Sequence, residues 1–295
     1  MTLFPFQLPF TKVCCTGAAL LALATGCTQE PPRPAIVAQE VVIPEEVNSA
    51  ERGFDDYTKL VWEDDFNGNS LDNTKWVPEI KDTWYNNEKQ ATTNARRNLS
   101  VTDGNLQITA VQENYHGKEY TSARIITKGL REFTFGRIDV RAKLPKDKGI
   151  WPAIWMLGAN DSRVGWPACG EIDIMELKGS EPRVNISTLH FGTSVETKPD
   201  GQTETYALPA GDFSEDFHVF TVIRSLGKVR MFVDGVPYYT RTSNDMTPYP
   251  FNNPFYMILN VAVGGVFDGD PDATTDFSRN KTMYVDYVKY FKYAE

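Results

Sequence analysis

From about residue 60 onward, apolar and polar residues alternate at a period of two, and the period of a helix is scarce. Arg137-Ile138-Asp139-Val140-Arg141-Ala142-Lys143-Leu144 puts its charges on one face and its apolar side chains on the other, as a half-buried strand does. Leu106, Ile108 and Ala110 alternate with Asn105, Gln107 and Thr109 after the turn dipeptide Asp103-Gly104. Val229 to Val233, Asp234-Gly235 and Val236 to Thr240 predict a hairpin closed by a two-residue turn. Further strands are predicted at 60–66, 121–128, 183–191, 217–224, 255–263 and 282–292. Many short strands divided by Gly, Pro and Asn imply an all-β sandwich or barrel.

One strand breaks the rule that carboxylates avoid a buried strand. Residues 170–177 are Gly-Glu-Ile-Asp-Ile-Met-Glu-Leu, so Glu171, Asp173 and Glu176 stand in an apolar run. At a period of two, Glu171 and Asp173 share a face while Ile172 and Ile174 point to the core. Glu176 has the wrong parity. A β-bulge near Met175 would return it to the Glu171 face and send Leu177 inward. A helix would spread the three over more than half its circumference. With the bulge the outer Cα atoms stand roughly 13 Å apart. Two inward-leaning Glu side chains can close that to the ~5–5.5 Å of a carboxyl pair that cleaves glycosides with retention.

Composition narrows the partners. The 295 residues carry a net charge of −9 with no basic run, which argues against nucleic acid. Lys12 followed by the apolar stretch Val13 to Ala24 forms a targeting segment too short to span a bilayer comfortably. It ends Leu23-Ala24-Thr25-Gly26-Cys27, which resembles a bacterial lipobox. Residues 1–26 are thus expected to be a lipoprotein signal peptide, with Cys27 as the lipidated residue; an ordinary secretory signal is the alternative. The expected location is the cell envelope, with the membrane reached through the lipid. Residues 27–54, with Pro31-Pro32-Arg33-Pro34 and Pro44-Glu45-Glu46, form a tether, and 55–295 one domain, taken to be a monomer. Cys169 is then the lone domain cysteine. It is expected to be a buried packing residue, since no Cys/His spacing suggests zinc.

Longer motifs make the strand specific. Gly149-Ile150-Trp151-Pro152-Ala153-Ile154-Trp155-Met156-Leu157-Gly158, then Gly165-Trp166-Pro167-Ala168-Cys169-Gly170 leading into Glu171, resemble glycoside hydrolase family 16 in its bulged, laminarinase-like form. Trp62-Glu63-Asp64-Asp65-Phe66-Asn67-Gly68, Tyr120-Thr121-Ser122-Ala123-Arg124, Ile258 to Gly265 and Met283-Tyr284-Val285-Asp286-Tyr287 extend the resemblance from about Leu60 to Lys292. It implies a β-jelly-roll sandwich of two antiparallel sheets with substrate across the concave one. It also implies a retaining endo-β-1,3-glucanase acting on laminarin-like polysaccharide. Mixed-linkage glucan or a marine galactan (agar, porphyran, carrageenan) stays open as substrate, and so does a non-catalytic glycan-binding lipoprotein.

By position in the matched motif, Glu171 is the expected nucleophile, Glu176 the general acid/base, and Asp173 a group coupled to Glu171. Trp151, Trp155, Trp166, Asn87, Arg124 and His190 align with positions that line the cleft. No catalytic cofactor is implied, but a structural calcium is, around Asp65, Gly104 and Asp286. The sequence departs from the family pattern at Ala91-Thr92, Asn94-Ala95, Ile223-Arg224 and Val266-Phe267, so altered outer subsites are expected.

Overall fold

The structure is a computed structural model that describes residues 48–294 except Asp200 and Asn280. The signal peptide, Cys27 and most of the 27–54 tether lie outside the described residues.

Two large antiparallel sheets carry the domain, as expected. The first runs from edge to edge through Gln202–Ala207, Val184–His190, Glu171–Leu177, Ile150–Gly158, Phe255–Val263, Arg124–Ile126 and Val77–Pro78. The second runs through Val236–Thr242, Lys228–Val233, His218–Ser225, Gly136–Lys143, Thr282–Lys292, Asn105–Thr109 and Leu99–Thr102, with Lys59–Asp64 also paired to Thr282–Lys292. A small third sheet joins Gln90–Thr92, Lys118–Ser122 and Val111–Tyr115. Among the described residues no helix is long and apolar enough to cross a membrane.

Alternation explains the layering. Ile138, Val140 and Ala142 of one sheet and Ile154, Met156, Ile172, Leu189 and Leu259 of the other belong to one buried cluster between them. The predicted hairpin is present, with Asp234 and Gly235 both at positive φ (50° and 78°), the turn that matches strand twist. The stretch expected as one strand over 121–128 is two. Lys118–Ser122 pairs in the small sheet and Arg124–Ile126 in the first large one, and the switch falls at buried Ala123.

The domain begins earlier in the chain than expected. Asn48 is fully buried and its Oδ1 accepts the backbone N–H of Tyr293 at 2.8 Å. Glu51 pairs with Lys228 at 2.7 Å, Arg52 lies over the Tyr293 ring at 3.8 Å, and Phe54 packs on Phe232. Residues 48–54 therefore belong to the domain, against its second sheet.

Candidate active site

Glu171–Leu177 sits in the middle of the first sheet. Against its neighbour Ile150–Gly158, Asp173 pairs with Trp155 but Met175 with Ile154, so Ile174 is skipped. Against Val184–His190, Asp173 pairs with Thr188 and Glu176 with Ile186, three steps opposite two. This is the one-residue bulge that the parity of Glu176 required. Cross-strand partners share a face. Glu171 lies between Leu157 and His190, Asp173 between Trp155 and Thr188, and Glu176 between Ala153 and Ile186. All three carboxylates therefore share one face, while Ile172, Ile174 and Leu177 enter the core. Gly170, just before them, has φ 82°, and a Cβ there would meet Pro250 Cγ at 2.7 Å, so the strand can begin only on glycine.

The surroundings separate the two glutamates. Glu176 Oε1 accepts the indole N–H of Trp151 at 3.0 Å. Glu171 Oε1 stands 3.8 Å from His190 Nε2, and Asp173 Oδ2 3.3 Å from the same nitrogen. Burial, then the charge of Asp173, pushes Glu171 up to about 8, against the pull of His190 and Arg124. Glu176 is also pushed up to about 8 by burial and Asp173; Trp151 pulls it down and Glu88 adds to the rise. Asp173, 3% exposed, is raised well above the usual carboxylate range by burial. Three carboxyls so placed cannot all ionise, and the site keeps protons at neutral pH. His190 lowers both glutamates; the cation Arg124 adds to that on Glu171, whereas the anion Glu88 opposes it on Glu176. Arg124 thus favours loss of a proton on Glu171 and Glu88 its retention on Glu176, while the Trp151 N–H works against that retention. Glu171, Asp173 and His190 also offer ligand atoms within 4.8 Å of one another, a set able to hold a divalent ion.

The expected cleft residues take distinct places. Trp151 is almost buried and its ring stacks on Phe267, centroids 4.7 Å apart. Trp155 is fixed by its indole N–H to Asn260 Oδ1 at 2.7 Å. Trp166 is part-exposed, 5.9 Å from the His190 ring, with Lys198 above it. Arg124 lies between the rings of Trp84 (4.5 Å) and Trp155 (4.7 Å), with its Nε 2.6 Å from Glu79 Oε2, so it builds the wall behind Trp155. Asn87 is exposed at φ 59° in the loop before Gln90–Thr92.

Sequence reasoning passed over Glu88, which follows Asn87, is raised by burial, and accepts from Gln90 Nε2 at 2.6 Å. It also passed over Asp268. That buried carboxylate accepts Gly149 N–H at 2.8 Å and both groups of Ser180, and pairs with Lys148. It ties down the loop that presents Phe267. The same loop is held by Val266 N–H to Asn86 C=O at 2.9 Å, and a Cβ on Gly265 would strike that oxygen.

Arg224 differs from expectation. It is fully buried in the second sheet, donates to the carbonyls of Phe133, Phe251 and Asn253, and lies over the Phe255 ring. That departure is a core strut and not a subsite change. Cys169 is buried, and burial pushes its thiol up to about 11, which leaves it inert as a packing residue.

At the expected metal position, Asp65 is exposed and accepts Asn67 Nδ2 at 2.8 Å, while its neighbour Asp64 is buried under Trp76. Asn67 Oδ1 approaches Gly104, 3.3 Å from where a Cβ would stand. Asp286 Oδ2 takes Arg141 Nη1 at 2.7 Å. Oxygen donors suit a hard cation, but Asp286 would have to share its carboxylate with Arg141.

Comparison with known proteins agrees with this geometry. Residues 86–289 match the family described as glycosyl hydrolases family 16. The chain is 36% identical over 289 residues to glucan endo-1,3-beta-glucosidase A1 of Niallia circulans, covering 88% of this chain but only 41% of that protein. It is 39% identical over 249 residues to a glucan endo-1,3-beta-glucosidase of Cryptopygus antarcticus, covering 78% and 90%. The X-ray structure of an endo-beta-1,3-glucanase from Pyrococcus furiosus superposes with a TM-score of 0.74 at 40% identity, over 80% of this chain and 95% of that one.

Proposed function

The chain belongs to glycosyl hydrolases family 16, and on that premise we propose that it is a retaining endo-β-1,3-glucanase acting on laminarin-like polysaccharide. The observation that carries the mechanism is the bulge that puts Glu176 on the face of Glu171 beside Trp151 and His190. Glu171, as carboxylate, attacks the anomeric carbon, and Glu176, as acid, protonates the departing glycosidic oxygen. The resulting Glu176 carboxylate then takes a proton from water. That water attacks the anomeric carbon and frees Glu171. Asp173, whose own ionisation burial opposes, couples to both glutamates. Trp155, Trp166, Asn87 and Arg124 line the sugar path, directly or by support.

Release of reducing ends from laminarin, mixed-linkage β-glucan, agar, porphyran and carrageenan tests the reading. Fastest release from laminarin is the expected result. Preference for another polymer moves the substrate class, and silence on all five with binding retained makes the protein a glycan-binding one.

The remaining sequence expectations join the proposal. Acylation of Cys27 and a tether over most of residues 27–54 place the monomeric enzyme at the cell envelope. Incorporation of a labelled fatty acid that disappears in Cys27→Ser supports the anchor, and equal labelling of both refutes it. A calcium ion near Asp65, Gly104 and Asp286 steadies the fold away from the chemistry.

A further inference from the structure

The bulge leaves a backbone carbonyl to be accounted for. Ile174 has no partner in either neighbouring strand, because both ladders skip it. A ladder gap of this kind exposes a C=O inside the protein, where an unpaired acceptor is costly. The oxygen is met from the core side by Ser187 Oγ at 2.7 Å. Ser187 is fully buried and has a single hydroxyl proton, which this bond uses. With that proton used, the 2.5 Å contact with Tyr238 Oη is filled by the phenol O–H, which also stands 3.5 Å from the Ile174 oxygen. The phenol oxygen in turn accepts Asn185 Nδ2–H at 2.8 Å, and Asn185 is fully buried as well. Burial pushes Tyr238 up to about 12, so its proton stays in place across the working range.

The protons thus run one way, from Asn185 to Tyr238 to Ser187 to the Ile174 carbonyl. Asn185 and Ser187 stand on Val184–His190, next to the bulged strand, while Tyr238 stands on Val236–Thr242, the edge strand of the opposite sheet. Ser187 and Tyr238 thus reach the Ile174 carbonyl from a hydrophobic interior, with Asn185 behind them.

We propose that Asn185, Tyr238 and Ser187 are positioning residues that pin the Ile174 bulge from behind and so hold Glu176 in reach of the bond cleaved at Glu171. None of them touches sugar. They act through the strand: Glu171 lies before the bulge and Glu176 after it, so any looseness at Ile174 changes the separation of the two carboxyls. This deepens the hydrolase reading above and depends on it.

The test compares two leaving groups. A misplaced acid harms departure of a sugar alkoxide, which needs a proton, far more than departure of 2,4-dinitrophenolate, which does not. In Tyr238→Phe, which keeps the ring and loses the donor, kcat on laminarin is expected to fall about tenfold or more with KM little changed. The pre-steady-state burst with a 2,4-dinitrophenyl β-1,3-oligoglucoside should stay within about twofold of wild type. Ser187→Ala should show the same split, and Ser187→Thr, which keeps the hydroxyl, should recover most of the laminarin rate. Equal losses on both substrates, or none, overturn the proposal. Failure of Tyr238→Phe to fold overturns it too, because the chain would then hold the fold and not the site. Wild-type protein inactive on laminarin and on the aryl glycoside would instead count against the hydrolase reading itself.

Discussion

The indole N–H of Trp151 points at Glu176 Oε1 from 3.0 Å, and the ring that carries it is backed by Phe267. One side chain thus offers a flat face and steadies the carboxyl proposed as proton donor. Because the N–H bond favours the ionised form, Trp151 lowers the proton affinity of Glu176. Trp151→Phe should raise it, moving the alkaline limb of the kcat–pH profile to higher pH. The rate should fall by no more than about tenfold, since a single hydrogen bond is lost. A limb that stays in place or moves to lower pH would show that Glu176 is not the acid.

Glu171→Gln and Glu176→Gln should each abolish nearly all hydrolysis of laminarin, with losses of ~10² or more, while far-UV circular dichroism and polymer binding are retained. Reducing-end assays decide it. Either variant keeping more than about a tenth of the wild-type rate contradicts its assigned role.

Stability should depend on pH in a definite direction. Glu171 and Glu176 are raised to about 8, and Asp173 is raised as well. An unfolded carboxyl titrates near ~4. Between those limits the folded protein binds more protons than the unfolded chain, so this contribution favours the fold fully below ~4 and is lost as pH rises toward about 8. Glu176→Gln, which cannot ionise, should melt above wild type at pH ~9, and the gap should close by pH ~4. Calorimetry showing a constant gap would mean that Glu176 is not held protonated.

Stereochemistry reports the spacing that the bulge sets. With carboxyls ~5–5.5 Å apart no water fits between nucleophile and sugar, so cleavage passes through a glycosyl-enzyme and the first product is the β-anomer. Time-resolved NMR of the anomeric proton during early cleavage of laminarin would record it. An initial α-anomer would require a wider gap and a different base.

Calcium should raise the melting temperature and a chelator lower it, and Asp286→Asn should remove that response. Loss of the Arg141 pair alone shifts the melting temperature by a constant amount, with or without the ion. A wild-type protein indifferent to calcium ends the assignment.

Much of this site was legible because carboxylates on a strand are conspicuous. The parity of Glu176 alone called for the bulge, and the alternation around Ile138, Leu106 and Val229 placed strands to within a few residues. Interactions distant in sequence were not legible. Nothing local in Asp268 signals a clamp on Gly149 and Ser180, and nothing in Arg124 signals its seat between Trp84 and Trp155. Ser187 and Tyr238 looked like ordinary strand residues, since their partner is a carbonyl freed by another strand's irregularity. Residues 48–54 carry too few apolar positions to show a period, so their packing went unseen.

The hydrogen bond between Asn48 and Tyr293 brings the first and last described stretches of the domain together on the second sheet, opposite the one that carries Glu171. Domains whose ends meet in this way accept circular permutation. A short link across that junction, with new ends opened at the exposed Asp234-Gly235 turn, would reorder the strands in sequence and leave the bulged strand and its flanking strands uncut. Such a permutant would also free one end of the strand that carries Tyr238, so its activity would report how far the hairpin at Asp234-Gly235 steadies the bulge.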